Sequence, residues 1–388
     1  MLALTLTTIS RSVIMENPQH PPDSPGARPR RSHGRATLAD VATHAGVTPM
    51  TVSRMLREPD RVAPETAQRI RQAIDDTGYS PNKQAGGLAS GRSAIVAAII
   101  PSVANSVFAE TIQGLSDALQ PAGLELFLAP NDYKLEREED QLKTLLGWGP
   151  AAIAVTGRRH SPVALALMRQ AKRAGTPVIQ MWDLDARDTE FLQIGFNHHL
   201  VGVAMGEHLL ACGYRDLAYV DSGVAEDFRA HERGQGLAQA ARLAGAALQV
   251  LVAPPCEPMA AGRLALLKLM QQRLPRALAF ANDHLAAGAC LQALELGLAL
   301  PDQLALLGYG DFPISQQLGR GISTMAAPRY QIGLATGQSI LLALGRPLAE
   351  DQQVLDHGSL VPTLVVRNTT VAGAGINPAN VAEGSSRD

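Results

Sequence analysis

The sequence predicts an α/β protein preceded by a small three-helix headpiece, on three observations. Thr37–Arg57 carries two short helical repeats separated by a glycine turn. From Ala94 onward, apolar runs of strand length alternate with amphipathic stretches of helix length, the pattern of parallel sheets covered by helices on both faces. With 388 residues and 46% hydrophobic content, the chain can bury a large core and should divide into two or three domains.

In Thr37–Arg57, Leu38, Val41 and Ala42 recur at helical spacing, Ala45-Gly46-Val47 breaks the pattern, and Met50, Val52, Ser53 and Met55 begin a second helix. Thr37 and Thr48 stand where N-caps belong. Pro49 takes the first position of the second helix, where a missing N–H costs nothing. Ala42 is the small residue needed where helices cross, Gly46 tolerates the positive φ of the turn, and Val52 pins the second helix. These are the requirements of a helix-turn-helix, although an ordinary αα-hairpin satisfies the same pattern. As a helix-turn-helix it would turn Pro49, Met50, Ser53, Arg54 and Arg57 toward a DNA major groove. Pro64 opens a third helix, with Ile70, Ile74 and Tyr79 on its apolar side and Gly78 closing it. Ala63 stands where a polar N-cap is expected, a loss of about 1 kcal/mol for that helix. The headpiece is therefore placed at residues 37–80.

Residues 1–36 are expected to be a disordered extension, since Asn17–Arg35 is rich in Pro, Arg, Ser and His and cannot form a core. Leu2–Ile9 is mildly apolar but lacks a basic leader and an Ala-x-Ala-like cleavage site, so a signal peptide is not expected. Arg28, Arg30, Arg31 and Arg35 read either as a basic arm for DNA phosphates or as incidental charge. Residues 81–93 read as a hinge, bracketed by Lys83 and Arg92, with Leu88 its only large apolar residue.

The following block reads as four strands, AIVAAIIP, LELFLAP, AAIAVTG and PVIQMWD, with helices at Val107–Gln120, Leu135–Trp148 and Pro162–Ala174 between them. A second block begins with a helix from His198 to Cys212. It continues with the strands LAYVDS, LQVLVA, ALAFAND and ALLGYGD, and with helices over His231–Leu243, Met259–Gln272 and His284–Leu296. Each block has enough units for its own sheet, so residues 94–367 should form two similar α/β subdomains. Ligands of such sheets bind at the carboxyl ends of the strands, so polar residues there would converge on a cleft between subdomains. The chain then passes Ile322–Met325 and a helix from Arg329 to about Leu344. Two last strands, near Gln353–Asp356 and Ser359–Arg367, are expected to tie the blocks together, and residues 368–388 to be a disordered tail.

Net charge is only −2, so any nucleic-acid surface must be local. Cys212, Cys256 and Cys290 are far apart with no CxxC, and read as ordinary core thiols of a cytoplasmic protein rather than a disulfide framework or zinc site. No run is long enough to span a membrane.

These motifs resemble the LacI/GalR (lac-repressor) family of bacterial transcription regulators. The likeness rests on TLADVATHAGVTPMTVSRML, GYSPNKQAGGLASGRS, RGQGL, ANDHLAAGA and LALLGYGDF, in that order over Thr37–Arg367. Within the family it runs to gluconate-operon repressors, through GVTPMTVSRMLREPDRV, IIPSVANSVFAETIQG, YKLEREEDQLKTLLGW, VTGRRHSP and MAAPR. The resemblance implies a periplasmic-binding-protein-like core of two parallel-sheet subdomains behind the headpiece, a homodimer on a palindromic operator, and a small-molecule effector in the cleft. It implies no cofactor and no metal.

By the same resemblance, Pro49 and Met50 match positions that choose bases, and Ser53 and Arg54 match shared DNA contacts. Thr37, Thr48, Thr51, Arg57 and Asn82 complete the expected DNA-binding set. Leu88 matches the hinge leucine that family dimers push between base pairs in the minor groove. Gly86-Gly87 replaces the usual helix-forming pair beside it, at ~1 kcal/mol per glycine relative to alanine. Ser102, Asn105, Phe108, Thr156, Asp183, Arg233, Asn282 and Asp311 lie at or beside family effector positions. Gly310 stands where most sugar-binding members place an aspartate, and Arg329 is shared with the gluconate-type subgroup. A lost carboxylate and a gained cation point to an anionic sugar acid.

Other signals are weaker. Gly234-x-Gly236 lacks the last glycine of a dinucleotide fingerprint, because Gln239 stands there. His198-His199 is adjacent rather than i, i+4, and reads as a solvated helix start. Arg158-Arg159-His160 reads as a solvated loop or an aid to anion binding, and Glu136–Asp140 as an exposed helix face. No nucleophile–base pair is identifiable by spacing, so an enzyme is not expected. The competing readings are a transport-type sugar-binding protein, which would not need the headpiece, and a sugar-modifying enzyme, which would need a catalytic pair.

Overall fold

The computed structural model describes residues 36–80, 93–103, 107–319, 321–348, 353–357 and 360–371. The expectations for residues 1–35, for Asn82 and Leu88 in the hinge, and for Asn105 lie outside these. Two compact units divide the chain, residues 1–82 and 83–388.

The headpiece holds α1 (Leu38–Ala45), α2 (Pro49–Arg57) and α3 (Pro64–Thr77). A capping box starts α1: the Thr37 hydroxyl accepts from Asp40 N–H while the Asp40 carboxylate accepts from Thr37 N–H at 2.7 Å. Gly46 takes the left-handed turn at φ 65°, and Thr48 caps α2 by accepting from Thr51 N–H at 3.2 Å. Val41, Ala42, Val52, Met55, Ala67 and Ile70 close the small core, with Ile74 and Tyr79 packed at its edge. Ala63 makes no side-chain cap on α3, which leaves that helix start to its proline.

The second unit contains two lobes. The first is a parallel sheet in the order β2-β1-β3-β4-β5, from β1 (Ile95–Ile100), β2 (Glu125–Pro130), β3 (Ala152–Thr156), β4 (Val178–Asp183) and β5 (Leu192–Phe196). Its helices are α4 (Ala109–Leu119), α5 (Leu135–Gly147) and α6 (Pro162–Arg173). The second has β6 (Asp216–Asp221), β7 (Ala247–Val252), β8 (Ala277–Phe280), β9 (Ala305–Tyr309), β10 (Ser323–Ala326) and β11 (Thr363–Val365), in the order β11-β10-β9-β8-β6-β7. Its helices are α7 (His198–Ala211), α8 (Phe228–Leu243), α9 (Pro258–Gln272), α10 (Asp283–Glu295) and the short α11 (Pro313–Gln317). Helix α12 (Arg329–Ala343) follows β10 but packs on α4 of the first lobe. In both sheets the strand order reverses beside the first strand, which opens a crevice at the carboxyl ends of β1/β3 and of β6/β8.

The structure corrects the expected tail. β11 pairs antiparallel with β10 inside the second sheet, and Gln353–Asp356 is not a strand, so β11 does not tie the two sheets together by pairing. The lobes are joined by three chain crossings, from β5 into α7, from β10 into α12, and from α12 back to β11. β5, whose LQIGF run is too short and too polar to stand out, was missed. The core also continues past Arg367: Asn368, Thr369 and Thr370 are buried. Thr369 O accepts from Leu306 N–H at 2.8 Å and Thr370 O accepts from the Tyr214 hydroxyl at 3.1 Å. A small polar segment can end inside a core when its groups satisfy neighbouring strands.

The glycines of RGQGL serve packing rather than a nucleotide. A Cβ at Gly236 would strike His199 O and Val203 N, and one at Gly202 would strike Arg233 O, so α7 and α8 touch backbone to backbone.

Candidate functional site

In the headpiece, α2 presents Pro49, Met50, Arg54 and Arg57 to solvent, with Thr51 and Ser53 half-buried beside them. Met50 is 65% exposed, on a helix whose other face buries Val52 and Met55 in the core. Arg57 donates to Ser53 Oγ at 2.8 Å and to Ser53 O at 3.3 Å, so the expected contact residues hold one another along one helix face. Thr37 and Thr48 spend their hydroxyls on caps, which fixes the entry of each helix.

In the body, a cavity of about 40 Å³ lies at the carboxyl ends of both sheets. Its wall includes Phe108, Tyr133 and Trp182 from the first lobe, and His198, Asp227, Arg229, Arg233, Asn282 and Tyr309 from the second. Phe108 meets Trp182 edge to face with ring centroids 5.4 Å apart. Asp183, the last residue of β4, is buried and faces Arg229 across the lobes, Nε to Oδ1 3.0 Å. A second cavity of about 200 Å³ shares Tyr133 and Arg229 and is bordered by Thr156.

His198 joins the two groups. Its Nδ1 lies 2.9 Å from Arg233 Nη1, and a guanidinium only donates, so Nδ1 accepts and the proton sits on Nε2. Nε2 faces Trp182 O at 3.1 Å and Asp183 Oδ1 at 3.3 Å. Burial, opposed by Asp183, pushes the imidazole below its ordinary range. Burial alone would raise the Asp183 carboxyl, but Arg229 and His198 overcome it and hold it down at about 2. Arg233 also donates to Ala281 O at 2.8 Å and lies 3.8 Å above the Tyr309 ring.

Several buried polar atoms here have no hydrogen-bond partner: Trp182 Nε1, Arg229 Nη2, Arg233 Nε, Asp183 Oδ2, Thr156 Oγ1 and the Tyr309 hydroxyl. Buried polar groups are nearly always satisfied in folded proteins, so such a cluster around a cavity marks a place built to bond something else.

The structure brings Phe108, Asp183, Arg233 and Asn282 of the expected set to or against this cavity, with Thr156 at the adjoining one. Asn282 also caps α10, accepting from Leu285 N–H at 3.1 Å. Ser102 follows β1 but is not on either wall. Asp311 and Arg329 lie off the wall as well. Asp311 pairs with Arg367 at 2.8 Å, while Arg329 bonds Glu110 and the carbonyls of Gly310 and Asp311, bridging α4 to the loop after β9. Both charges are thus taken by protein partners. Gly310 has a backbone reason for being glycine: its φ is 124° and a Cβ would meet the Phe312 ring.

Three surface readings are corrected too. His198 is buried rather than solvated. His160 and Glu138 form a buried pair at 2.6 Å, so Glu138 turns inward from the acidic helix. Arg158 and Arg159 both bond Glu232 on α8, across the lobes, although Arg159 stays more than half exposed and borders the cavity of about 200 Å³. Arg229 was missed because the expected start of α8 fell three residues late. Asp227, which caps it by accepting from Ala230 N–H, is the signal that would have placed Arg229 and Arg233 on one helical face.

A helix-turn-helix headpiece followed by a two-lobed α/β body with an unsatisfied polar cavity at its strand ends is the build of a ligand-responsive DNA-binding regulator. Residues 37–82 match the bacterial regulatory proteins of the lacI family, and residues 207–370 match the periplasmic binding protein-like domain. The HTH-type transcriptional regulator GntR of Pseudomonas aeruginosa is 36% identical over 331 residues, covering 84% of this chain and 94% of the relative. A LacI-family regulator from Silicibacter pomeroyi superimposes with a TM-score of 0.77 at 32% identity, over 86% of this chain and 99% of that one. The lac repressor dimer bound to operator and an anti-inducer shares the fold at 22% identity, with a TM-score of 0.73 over 87% of this chain and 100% of that one. The chain belongs to the lacI family of transcriptional regulators, and it is a regulator rather than an enzyme. Among the described residues, no helix is long and apolar enough to cross a membrane, and no group of three or more His, Cys, Asp and Glu could hold a metal ion.

Proposed function

We propose that this protein is a cytoplasmic repressor that binds a near-palindromic operator as a homodimer and releases it when a small sugar acid, of gluconate or ketogluconate type, enters the cleft between its lobes. The observation that carries the effector class is the pair of buried arginines, Arg229 and Arg233, which line the cavity and each keep a buried nitrogen without a hydrogen-bond partner. A carboxylate matches guanidinium donors, and the hydroxyls of the same ligand match Asp183 Oδ2, Asn282 and the Tyr309 hydroxyl. Base choice would fall to Pro49 and Met50 by shape and thymine-methyl contact, with Arg54 and Arg57 on phosphates or base edges and Asn82 and Leu88 at the hinge. The effector acts as a switch only through its differential affinity for the two lobe arrangements.

A gel shift with the protein's own upstream DNA, with and without sugar acids, tests this reading. The expected result is a retarded complex dissolved by gluconate or a ketogluconate. Failure to bind DNA would remove the regulator reading of the headpiece, and release by neutral hexoses alone would remove the sugar acid. A Leu88→Ala variant should lose operator affinity while keeping effector binding by calorimetry.

A further inference from the structure

Arg229 and Asp183 stand on opposite walls of the cleft: Asp183 ends β4 in the first lobe, and Arg229 sits in the first turn of α8 in the second. Their ion pair is buried and joins the lobes. Room for it comes from Gly157, at φ 107°, where a Cβ would lie 2.5 Å from Arg229 Nη2. The pair uses only part of each partner, since Nη2 of Arg229 and Oδ2 of Asp183 have no hydrogen bond. Other cations near the cleft are committed, with Arg158 and Arg159 on Glu232 and Arg329 on Glu110. Arg229 therefore retains an unused buried N–H, and what occupies its remaining face is the protein's own carboxylate.

A cavity of about 40 Å³ admits a few water molecules, not a six-carbon acid. The adjoining cavity of about 200 Å³ also reaches Arg229, but a ligand spanning Arg229, Arg233 and Asn282 needs the walls to part. Asp183–Arg229 is the buried ion pair that resists parting, together with His198 on Trp182 O and Asp183 and with Arg158 and Arg159 on Glu232. Resting on the reading of the cleft as a sugar-acid site, we propose that Asp183 is a built-in competitor of the effector: it neutralises Arg229 across the cleft until the ligand carboxylate takes its place on the guanidinium. Asp183 is then released to accept from a ligand hydroxyl. Closure by the internal pair lowers the fraction of protein able to bind, so it weakens apparent affinity and confines response to ligands carrying an anion strong enough to displace it. Unpartnered N–H donors at Trp182, Arg229 and Arg233 outnumber the single free carboxylate oxygen, which suits a ligand richer in acceptors than in donors.

The test has a ligand-free arm and a ligand arm. The chain has two tryptophans, Trp148 and Trp182, so a Trp148→Phe background makes Trp182, on the cavity wall, the only reporter. In that background, acrylamide quenching of Trp182 should rise several-fold in Asp183→Asn. Arg229→Gln should behave the same way, which keeps the test open if either variant folds poorly by circular dichroism. In calorimetry, Asp183→Asn should bind D-gluconate about tenfold more tightly than the parent, while Arg229→Gln should lose binding. Unchanged quenching in both variants overturns the proposal, as does weaker gluconate binding in Asp183→Asn with binding retained in Arg229→Gln. Raised quenching with no gluconate binding by any form supports the latch and counts against the sugar acid instead, so the two readings fail separately.

Discussion

Two aspartates, one in each lobe, are equally buried and carry opposite electrostatic consequences. Asp183 ends β4 and faces the Arg229 guanidinium and His198; its carboxyl is held at about 2. Asp283 opens α10 and is approached by neutral donors, the Thr324 hydroxyl at 2.7 Å and the Phe312 N–H at 2.8 Å. Burial dominates there and pushes Asp283 up to about 6 despite those bonds. The difference teaches that hydrogen bonds from uncharged groups do not replace a counter-ion in a dry site. It also separates the roles. Asp283 binds the loop after β9 to the second lobe, whereas Asp183 stays charged and is committed to a partner on the other lobe.

The contrast can be broken most severely at Arg229. Arg229→Gln strands the Asp183 charge and should lower unfolding free energy by about 3–5 kcal/mol at pH 7, measured by urea denaturation. Because the folded carboxyl lies below its unfolded value of 3.8, the stabilisation it brings is present above pH 3.8 and is lost as pH falls toward 2. The penalty of Arg229→Gln should therefore shrink in acid. Asp283 has the opposite sign. Its folded carboxyl is raised, so its ionisation costs stability as pH climbs from about 4 through 6, by about 3 kcal/mol in all. Melting temperature should fall over that window in the parent, and the Asp283→Asn variant should lack that component of the fall.

Smaller changes sharpen the comparison around the Asp183 pair. Gly157→Ala forces a side chain at φ 107° into Arg229 and should cost about 1–3 kcal/mol in a urea titration, with Trp182 emission shifting as the pair loosens. Glu232→Gln removes the outer contact with Arg158 and Arg159. The Glu232 side chain is 13% exposed and Arg159 more than half exposed, so about 0.2–1 kcal/mol is expected, with the deficit shrinking in high salt.

Much of the architecture was legible from local sequence. Helix and strand periods placed four of the five strands of the first sheet, and Pro, Gly and Thr marked the ends of the headpiece helices. Asp183 and Asn282 were legible as strand ends, a local feature, whereas Phe108 and Arg233 were placed near the cleft by the family resemblance. Where side chains would find their partners was not legible. Arg329 was expected to meet a ligand and instead meets Glu110; Arg158 and Arg159, read as a solvated loop or an aid to anion binding, clasp Glu232.

Local sequence specifies the headpiece, the alternation that makes two parallel sheets, and the strand ends where a ligand would lie. These follow from short-range rules of backbone geometry and burial, which act within a few residues. Which charges face one another is set by the packing of the lobes. Asp183 and Arg229 are 46 residues apart and belong to different lobes, so their meeting depends on how β5 hands the chain to α7 and how closely the lobes approach. A charge on a sequence carries no record of its partner, because long-range electrostatic pairing is set by the dielectric and geometry of the folded cleft.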